Sequence, residues 1–193
     1  MTERDPSQYV FWLASRAAGI TALVLVSVAV ILGLYMAGNL GTRPGYKRVL
    51  AKLHEQIAVA ALIAIPLHGF LLLGDHWLRP GVTGVLVPFT MDYRPLWTGL
   101  GIVGAYLAAL LGLTFYFRRR IGAARWRRAH RLIAVVYELG AVHALGAGTD
   151  GAGIWLRGIV VASAVPIVVL WVLRYRPRPQ RRAALRPRPG GEA

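Results

Sequence analysis

Four of the five histidines in the chain form two widely spaced pairs. His54 and His68 are fourteen residues apart in one stretch, and His130 and His143 are thirteen residues apart in a later one. Along a helix that rises about 1.5 Å per residue, either separation spans about 20 Å. If both stretches cross a membrane in the same direction, His54 and His130 share one depth, and His68 and His143 share another.

Paired imidazoles at matching depths are suited to hold haem. A b-type haem between facing helices needs neutral imidazoles on both sides of the iron, in an apolar slot with little water. The sequence therefore predicts two stacked haem b groups, one ligated by His54 and His130 and the other by His68 and His143. Zinc is a rival metal, but zinc ligands on one helix usually stand about three to five residues apart. A single histidine is often only hydrogen-bonded to a carbonyl group, whereas four ionisable side chains within two spans indicate function.

The helical phases of the two pairs differ. Fourteen residues leave His54 and His68 about 40° apart around the axis, whereas thirteen leave His130 and His143 about 140° apart. We expect a local kink at Gly140 to bring the second pair into line. Pro66 allows a kink in the helix of the first pair.

The rest of the chain has the composition of an all-α membrane bundle. It has 193 residues, of which 56% are apolar and 16% are charged, compared with about 25% charged residues in soluble domains. A signal peptide is the competing interpretation of the first apolar stretch, but the stretch is too long and lacks a basic leader, so we expect a retained helix. Five segments are long enough to cross about 30 Å of hydrocarbon as helices: 10–37, 49–73, 96–117, 132–145 and 154–173.

Basic residues give the bundle an orientation. Of the 23 Lys and Arg residues, eighteen fall in three segments that five alternating helices would place on one side. The positive-inside rule then predicts an outer N-terminal segment (1–9), a five-helix domain (10–173) and a cytoplasmic Arg/Pro-rich tail (174–193), which we expect to be disordered. The 21 arginines against 2 lysines are typical of a GC-rich bacterium, so we expect a multi-pass protein of the bacterial plasma membrane. A pI near 11.4 could suggest nucleic-acid binding, but topology and anionic lipid already account for these juxtamembrane charges.

Other residue types narrow the chemistry. The chain has no cysteine, which excludes disulfides, thiolate zinc sites, cysteine-ligated iron–sulfur clusters and a cysteine nucleophile. No nucleophile or acid–base dyad is evident, so we predict no catalytic residue beyond the haem ligands. The rival from another class is a non-redox scaffold or a metal-ion transporter that uses the same histidines.

The histidine pattern resembles the ferric reductase-like transmembrane domain, the haem-bearing core of NADPH oxidases and ferric reductases. It is also similar to the haem subunit of the bacterial periplasmic methionine sulfoxide reductase system. The resemblance covers about residues 10–173 and depends on His54/His68 and His130/His143. It implies two stacked b haems and electron transfer across the membrane.

The sequence departs from the larger members of that family in two ways. They usually have six helices and continue into a cytosolic FAD and NADPH module, whereas five helices and a basic tail are predicted here. The resemblance thus implies a separate cytoplasmic donor, either a flavoprotein reductase or a quinol. The acceptor on the outer side could be a partner reductase, ferric iron or oxygen.

Several charged residues have two interpretations. Arg16, near the outer end of the first helix, could bind the propionates of the outer haem or extend to the membrane surface. Arg131 could bind the propionates of the inner haem, although topology alone would also place an arginine there. Glu138 could orient a ligand or relay protons, or be neutral and hydrogen-bonded. His76 is interpreted as an ordinary loop residue, and residues 82–89 as an apolar cap on the membrane.

Overall fold

The computed structural model describes residues 9–38 and 44–174, and this part of the chain is helical, without any strand. The expectations for residues 1–8 and for the tail from 175 to 193 lie outside the described residues. The helices in chain order are α1 (Val10–Ala37), α2 (Pro44–Leu71), α3 (Gly81–Leu86), α4 (Pro95–Leu113), α5 (Arg118–Ile121), α6 (Ala123–His130), α7 (Ile133–Ala147) and α8 (Ile154–Arg174).

Within the described residues, four helices are long and apolar enough to cross a membrane: Val10–Ala37, Gly45–Gly74, Pro95–Leu113 and Ile154–Arg174. They correspond to four of the five predicted spans, and the bounds of α1 are as predicted. The remaining predicted span corresponds to α7, which has 15 residues and is shorter than the other four. Large aliphatic side chains stay exposed within the spans, with Ile63 at 62% and Leu110 at 61%, as lipid-facing residues require.

Prolines and glycines set several helix boundaries. Pro95 begins α4, where a missing amide hydrogen costs nothing because the first turn has no acceptor for it. Gly122 separates α5 from α6 with φ at +92°, a conformation that other residues rarely adopt. Pro66 and Pro166 lie inside α2 and α8 without ending them. Neighbouring helices can accommodate the backbone groups that such prolines leave unpaired.

Two helices, α1 and α4, support the helices that carry the paired histidines. α1 packs along α2 and also contacts α7 and α8, while α4 packs mainly along α7 and also touches α2. Tyr137 of α7 connects these helices to α8. Its hydroxyl lies 2.8 Å from Oγ of Ser163 and 3.1 Å from the carbonyl oxygen of Val160. The buried core around it comprises Leu23, Val30, Leu34, Tyr137, Ala141, Leu156 and Ile167.

The expected kink at Gly140 is wrong. α7 runs unbroken through Gly140, and the helical path changes earlier, in the turn at Arg131 and Leu132. Amides there bond carbonyls three residues back, as Leu132 does to Ala129 at 2.9 Å. Such 3₁₀ winding advances about 120° and about 2.0 Å per residue, instead of about 100° and about 1.5 Å. Three residues wound in this way reduce the mismatch between His130 and His143 from about 140° to about 80° and add about 1.5 Å.

Candidate functional site

The structure brings His54, His68, His130 and His143 together in the predicted pairs. The ring centroids of His54 and His130 are 6.3 Å apart, and those of His68 and His143 are 6.0 Å apart. The rings in each pair are steeply inclined, at 87° and 71° respectively. One pair lies toward the start of α2 and the other toward its end, so the two pairs are stacked along the bundle.

These separations fit one metal atom between each pair. An imidazole nitrogen bonds a metal at about 2 Å, so two rings on opposite sides of one ion place their centroids about 6 Å apart. Each pair offers two ligands, whereas a bare ion such as zinc needs about four. A haem supplies the other four nitrogens from its own ring. Within the described residues, no group of three or more His, Cys, Asp or Glu side chains could hold a metal ion.

Hydrogen bonds settle which nitrogen of three histidines faces the partner. Nδ1 lies 3.0 Å from the Ala29 carbonyl oxygen in His54, 2.8 Å from that of Ser15 in His68, and 2.9 Å from that of Trp97 in His143. A carbonyl oxygen only accepts, so Nδ1 must carry the proton and donate it. Nε2 is then left with its lone pair, the form of imidazole that ligates a metal.

Ser15 reinforces the orientation of His68. The serine is 1% exposed, and its hydroxyl donates to the His68 carbonyl oxygen at 2.8 Å. The same Oγ lies 3.0 Å from Nδ1 of His68, where it can only accept because its one proton is already used. Sequence reasoning missed this residue, since a lone serine in an apolar helix carries no signal of its own.

His130 is held differently from the other three. Its ring stacks on Trp126, one turn earlier in α6, with centroids 4.8 Å apart and planes inclined by 24°. Trp126 in turn contacts Phe115, at 5.6 Å between centroids. Within the described residues, Nδ1 of His130 and Nε1 of Trp126 are buried without a well-formed hydrogen bond, although the Leu111 carbonyl is close enough to interact with Nδ1.

A cavity of about 490 Å³ lies beside His68 and His143, and its volume is in the range of ordinary cofactor pockets. His68 and His143 both line it, and its walls are mostly apolar. Gly140, which sequence reasoning assigned to a kink, instead lines this cavity, and a Cβ atom there would meet nothing within 4 Å. The pocket therefore offers room for a large planar group beside the two imidazoles.

The segment between α2 and α4 forms one end of this cavity. Trp77, Leu78, Met91 and Tyr93 all line it. The segment is anchored by the Tyr106 hydroxyl, which donates to the carbonyl of Leu86 at the end of α3. This segment thus covers one end of the cavity, and His76 within it is exposed.

Arg16 lies at the edge of the same cavity and pairs with Asp150. Its Nε and Nη2 atoms donate to the two carboxylate oxygens at 2.5 and 2.7 Å. Its guanidinium also lies 5.4 Å from the ring of Trp12 and 5.8 Å from that of Trp155. Arginine has five N–H donors in all, so three remain for a further anion. Sequence reasoning had not foreseen Asp150 as the partner.

The other candidates lie at the surface. Arg131 is exposed in the turn directly after His130, at the inner end of the site. Glu138 is exposed in the middle of α7. Neither side chain contacts a histidine of the two pairs in the hydrogen bonds and ion pairs of the described residues.

Comparison of the sequence with known protein families gives one match. The sequence model described as a ferric reductase-like transmembrane component matches residues 18–141 of the 193. The matched range contains three of the paired histidines, and His143 follows two residues beyond it. No curated protein and no solved structure matches the chain significantly.

Proposed function

Because the chain belongs to the family of ferric reductase-like transmembrane components, we propose that it carries electrons through two b-type haems. His54 and His130 hold the inner haem, and His68 and His143 hold the outer one. A haem supplies an iron atom that alternates between the ferric and ferrous states. The chain is a multi-pass membrane protein with four apolar helices long enough to span, so this route leads across a membrane.

One observation carries the proposal. In three of the four histidines, Nδ1–H donates to a carbonyl oxygen of a neighbouring helix, which leaves Nε2 free toward the facing ring about 6 Å away. A core histidine with only a structural role has no need of a second imidazole at ligand distance. A hydrogen bond from the other ring nitrogen, which fixes the tautomer, is typical of a histidine that ligates a metal.

The remaining residues bind and shield the cofactors. Arg16, with N–H groups left over from its pair with Asp150, binds the propionates of the outer haem, and Arg131 binds those of the inner haem. The apolar cavity walls exclude water, which favours the uncharged form of the imidazoles. The outer loop limits access to the outer haem, so an acceptor meets that loop first.

α7 acts as a fifth span in this proposal. Its 15 residues cover about 22 Å, which is less than the hydrocarbon thickness of about 30 Å. The turn at Arg131 and the preceding α6 extend it toward the basic side. In this proposal the N-terminus lies outside a bacterial cell and the C-terminus lies in its cytoplasm, and the basic α5–α6 region supports that orientation.

The donor and acceptor follow from this orientation. Electrons enter at the inner haem from a cytoplasmic flavoprotein reductase or from a quinol. The exposed arginines of α6 suit an anionic donor surface, and the opposite side of that helix holds Trp126 against His130. Electrons leave at the outer haem to a partner reductase, to ferric iron or to oxygen.

The first test is a haem count. We expect the protein purified in detergent to be red and to contain two b haems per chain by the pyridine haemochrome assay. One haem per chain would mean that one histidine pair does not bind, and would break the proposed relay. A well-folded, colourless preparation would overturn the electron-transfer function and favour a scaffold or a metal-ion transporter.

A further inference from the structure

Three of the paired histidines pack against a glycine as well as a carbonyl group. His68 bonds the carbonyl of Ser15, and its ring lies against Gly19. His143 bonds the carbonyl of Trp97, and its ring lies against Gly101. His54 repeats the arrangement with the carbonyl of Ala29 and with Gly33. In every case the glycine follows the carbonyl residue by four positions.

The four-residue offset has a physical reason. In an α-helix the carbonyl of one residue points at the amide of the residue four positions later, so the side chain there stands beside that carbonyl. A planar ring can reach the carbonyl from the side only where this later residue is small. A Cβ atom added to Gly101 would lie 2.5 Å from Nδ1 of His143, and one added to Gly19 would lie 2.9 Å from Nδ1 of His68.

We infer that Gly19 and Gly101 are positioning residues for the ligands of the outer haem, whereas Gly33 holds the same place beside His54 at an ordinary contact distance. Each glycine opens a notch in a supporting helix, through which an imidazole donates to the carbonyl and directs Nε2 at the facing histidine. The inference rests on the proposed function, since it assigns the notches to haem ligation. It goes beyond that function because it names residues that do not themselves ligate.

The notches repeat along α1. Gly19 and Gly33 are fourteen residues apart on α1, the same separation as His54 and His68 on α2. Helices α1 and α2 pack along their length, so the two repeats remain in register. Counted from Gly101 of α4, the same separation leads to Phe115, which lies in the turn after that helix and four positions after Leu111.

Phe115 stands at the position where the fourteen-residue repeat would place a fourth glycine, so no notch is present there. His130 lacks a well-formed bond from Nδ1 within the described part of the chain, and it stacks instead on Trp126, which Phe115 contacts. The inner pair therefore combines one notched imidazole with one aromatic-stacked imidazole. The outer pair has two notches with the shortest glycine contacts, and its geometry depends most on glycine.

The test replaces the glycines one at a time with alanine. Gly101→Ala and Gly19→Ala are compared with Gly33→Ala, where the added Cβ would lie 3.4 Å from Cε1 of His54, an ordinary contact. Gly158→Ala is the matched control, since it lies within α8 and its added Cβ would meet nothing within 4 Å. Haem content, the reduced absorbance spectrum and the EPR signals of the ferric haems are measured for each, with far-UV circular dichroism as the check on folding.

We expect a graded result. Gly101→Ala and Gly19→Ala should weaken binding of the outer haem by roughly 10–100-fold, the usual effect of losing a partner that orients a metal ligand. Gly101→Ala should be the stronger of the two. Gly33→Ala and Gly158→Ala should retain both haems, with unchanged EPR signals.

Other outcomes overturn the inference. Folded Gly101→Ala and Gly19→Ala proteins with two haems and wild-type EPR signals would show that the notches do not position the ligands, while the proposed function would stand. A wild-type protein without haem would overturn both. If neither variant folds, the test uses the wild-type protein with its haems reduced, because ferrous bis-histidine haem is diamagnetic and suits NMR. We expect ¹⁵N NMR to detect slowly exchanging Nδ1–H groups on His54, His68 and His143. The absence of these signals would contradict the inference.

Discussion

Arg16 and Asp150 are 134 positions apart in the chain, yet the guanidinium of one donates two hydrogen bonds to the carboxylate of the other, at 2.5 and 2.7 Å. Arg16 is near the N-terminal end of α1, and Asp150 is in the turn between α7 and α8. The pair therefore connects the first membrane helix to the helix that carries His143. It also closes one edge of the outer cavity, which both residues line.

Asp150→Asn should destabilise the protein modestly. The two side chains are 35% and 20% exposed, so solvent screens much of their attraction, and a bidentate pair of this kind contributes about 1 kcal/mol. In a chain of this size that corresponds to a decrease in Tm of about 2–4 °C. Thermal unfolding in detergent measures it, with the exposed Asp92→Asn as the control. An unchanged Tm would mean that the ion pair makes no net contribution.

His68→Ala and His143→Ala should each remove the outer haem and leave the inner one. The two histidines approach to 6.0 Å and no other histidine of the described residues lies in their cavity, so neither has a substitute. His54→Ala or His130→Ala should remove the inner haem instead. The pyridine haemochrome assay should read half of the wild-type value in all four variants. A full haem content in both outer variants would show that the pairing is wrong.

Ser15→Ala should raise the reduction potential of the outer haem. The serine Oγ accepts from Nδ1–H of His68 at 3.0 Å, which increases the electron density on the imidazole and favours ferric iron. With about 59 mV for each tenfold change in a one-electron equilibrium, we expect a rise on the order of 20 mV. A spectroelectrochemical titration resolves it, with the inner haem as an internal reference. A decrease in the potential, or an equal shift of both haems, would contradict this role.

Trp126 should matter to the inner haem through its ring. It stacks on His130 at 4.8 Å, and His130 is the paired histidine that has no glycine notch. Trp126→Ala should loosen His130 and weaken inner-haem binding by roughly tenfold, as expected when a metal ligand loses the group that orients it. Trp126→Phe, the matched control, keeps an aromatic face and should retain both haems. If Trp126→Ala and Trp126→Phe lost haem equally, ring stacking would not be what holds His130. The indole N–H, which is buried without a hydrogen bond in the described residues, would then be the important group.

Much of the architecture was predictable from local patterns. Apolar length and charge placement predicted helices at all five segments, four of which are long enough to span. The spacing of the histidines predicted which residues approach each other, because a regular helix converts sequence separation into depth. The family resemblance is confirmed by the match over residues 18–141.

The details that local patterns missed are those that depend on a neighbouring helix. In one ideal helix, a spacing of thirteen residues turns His143 away from the face that carries His130. A kink at Gly140 was expected to realign the two histidines, because glycine is a common site of kinks. The chain makes the adjustment at Arg131 and Leu132 instead, where α6 ends and the winding tightens. Nothing in the local sequence marks that turn, since both residues are compatible with a helix.

The sequence by itself determined the helical class, the four apolar helices long enough to span and the separation of the histidines along the chain, because hydropathy and helical rise are properties of one segment at a time. The tertiary structure decided the rest. It determined which carbonyl oxygens accept from Nδ1–H of three histidines, that His130 stacks on Trp126, and that Arg16 pairs with Asp150. Hydrogen bonds and ring contacts require atoms within a few ångströms, and segments far apart in the chain reach that distance only when the helices pack.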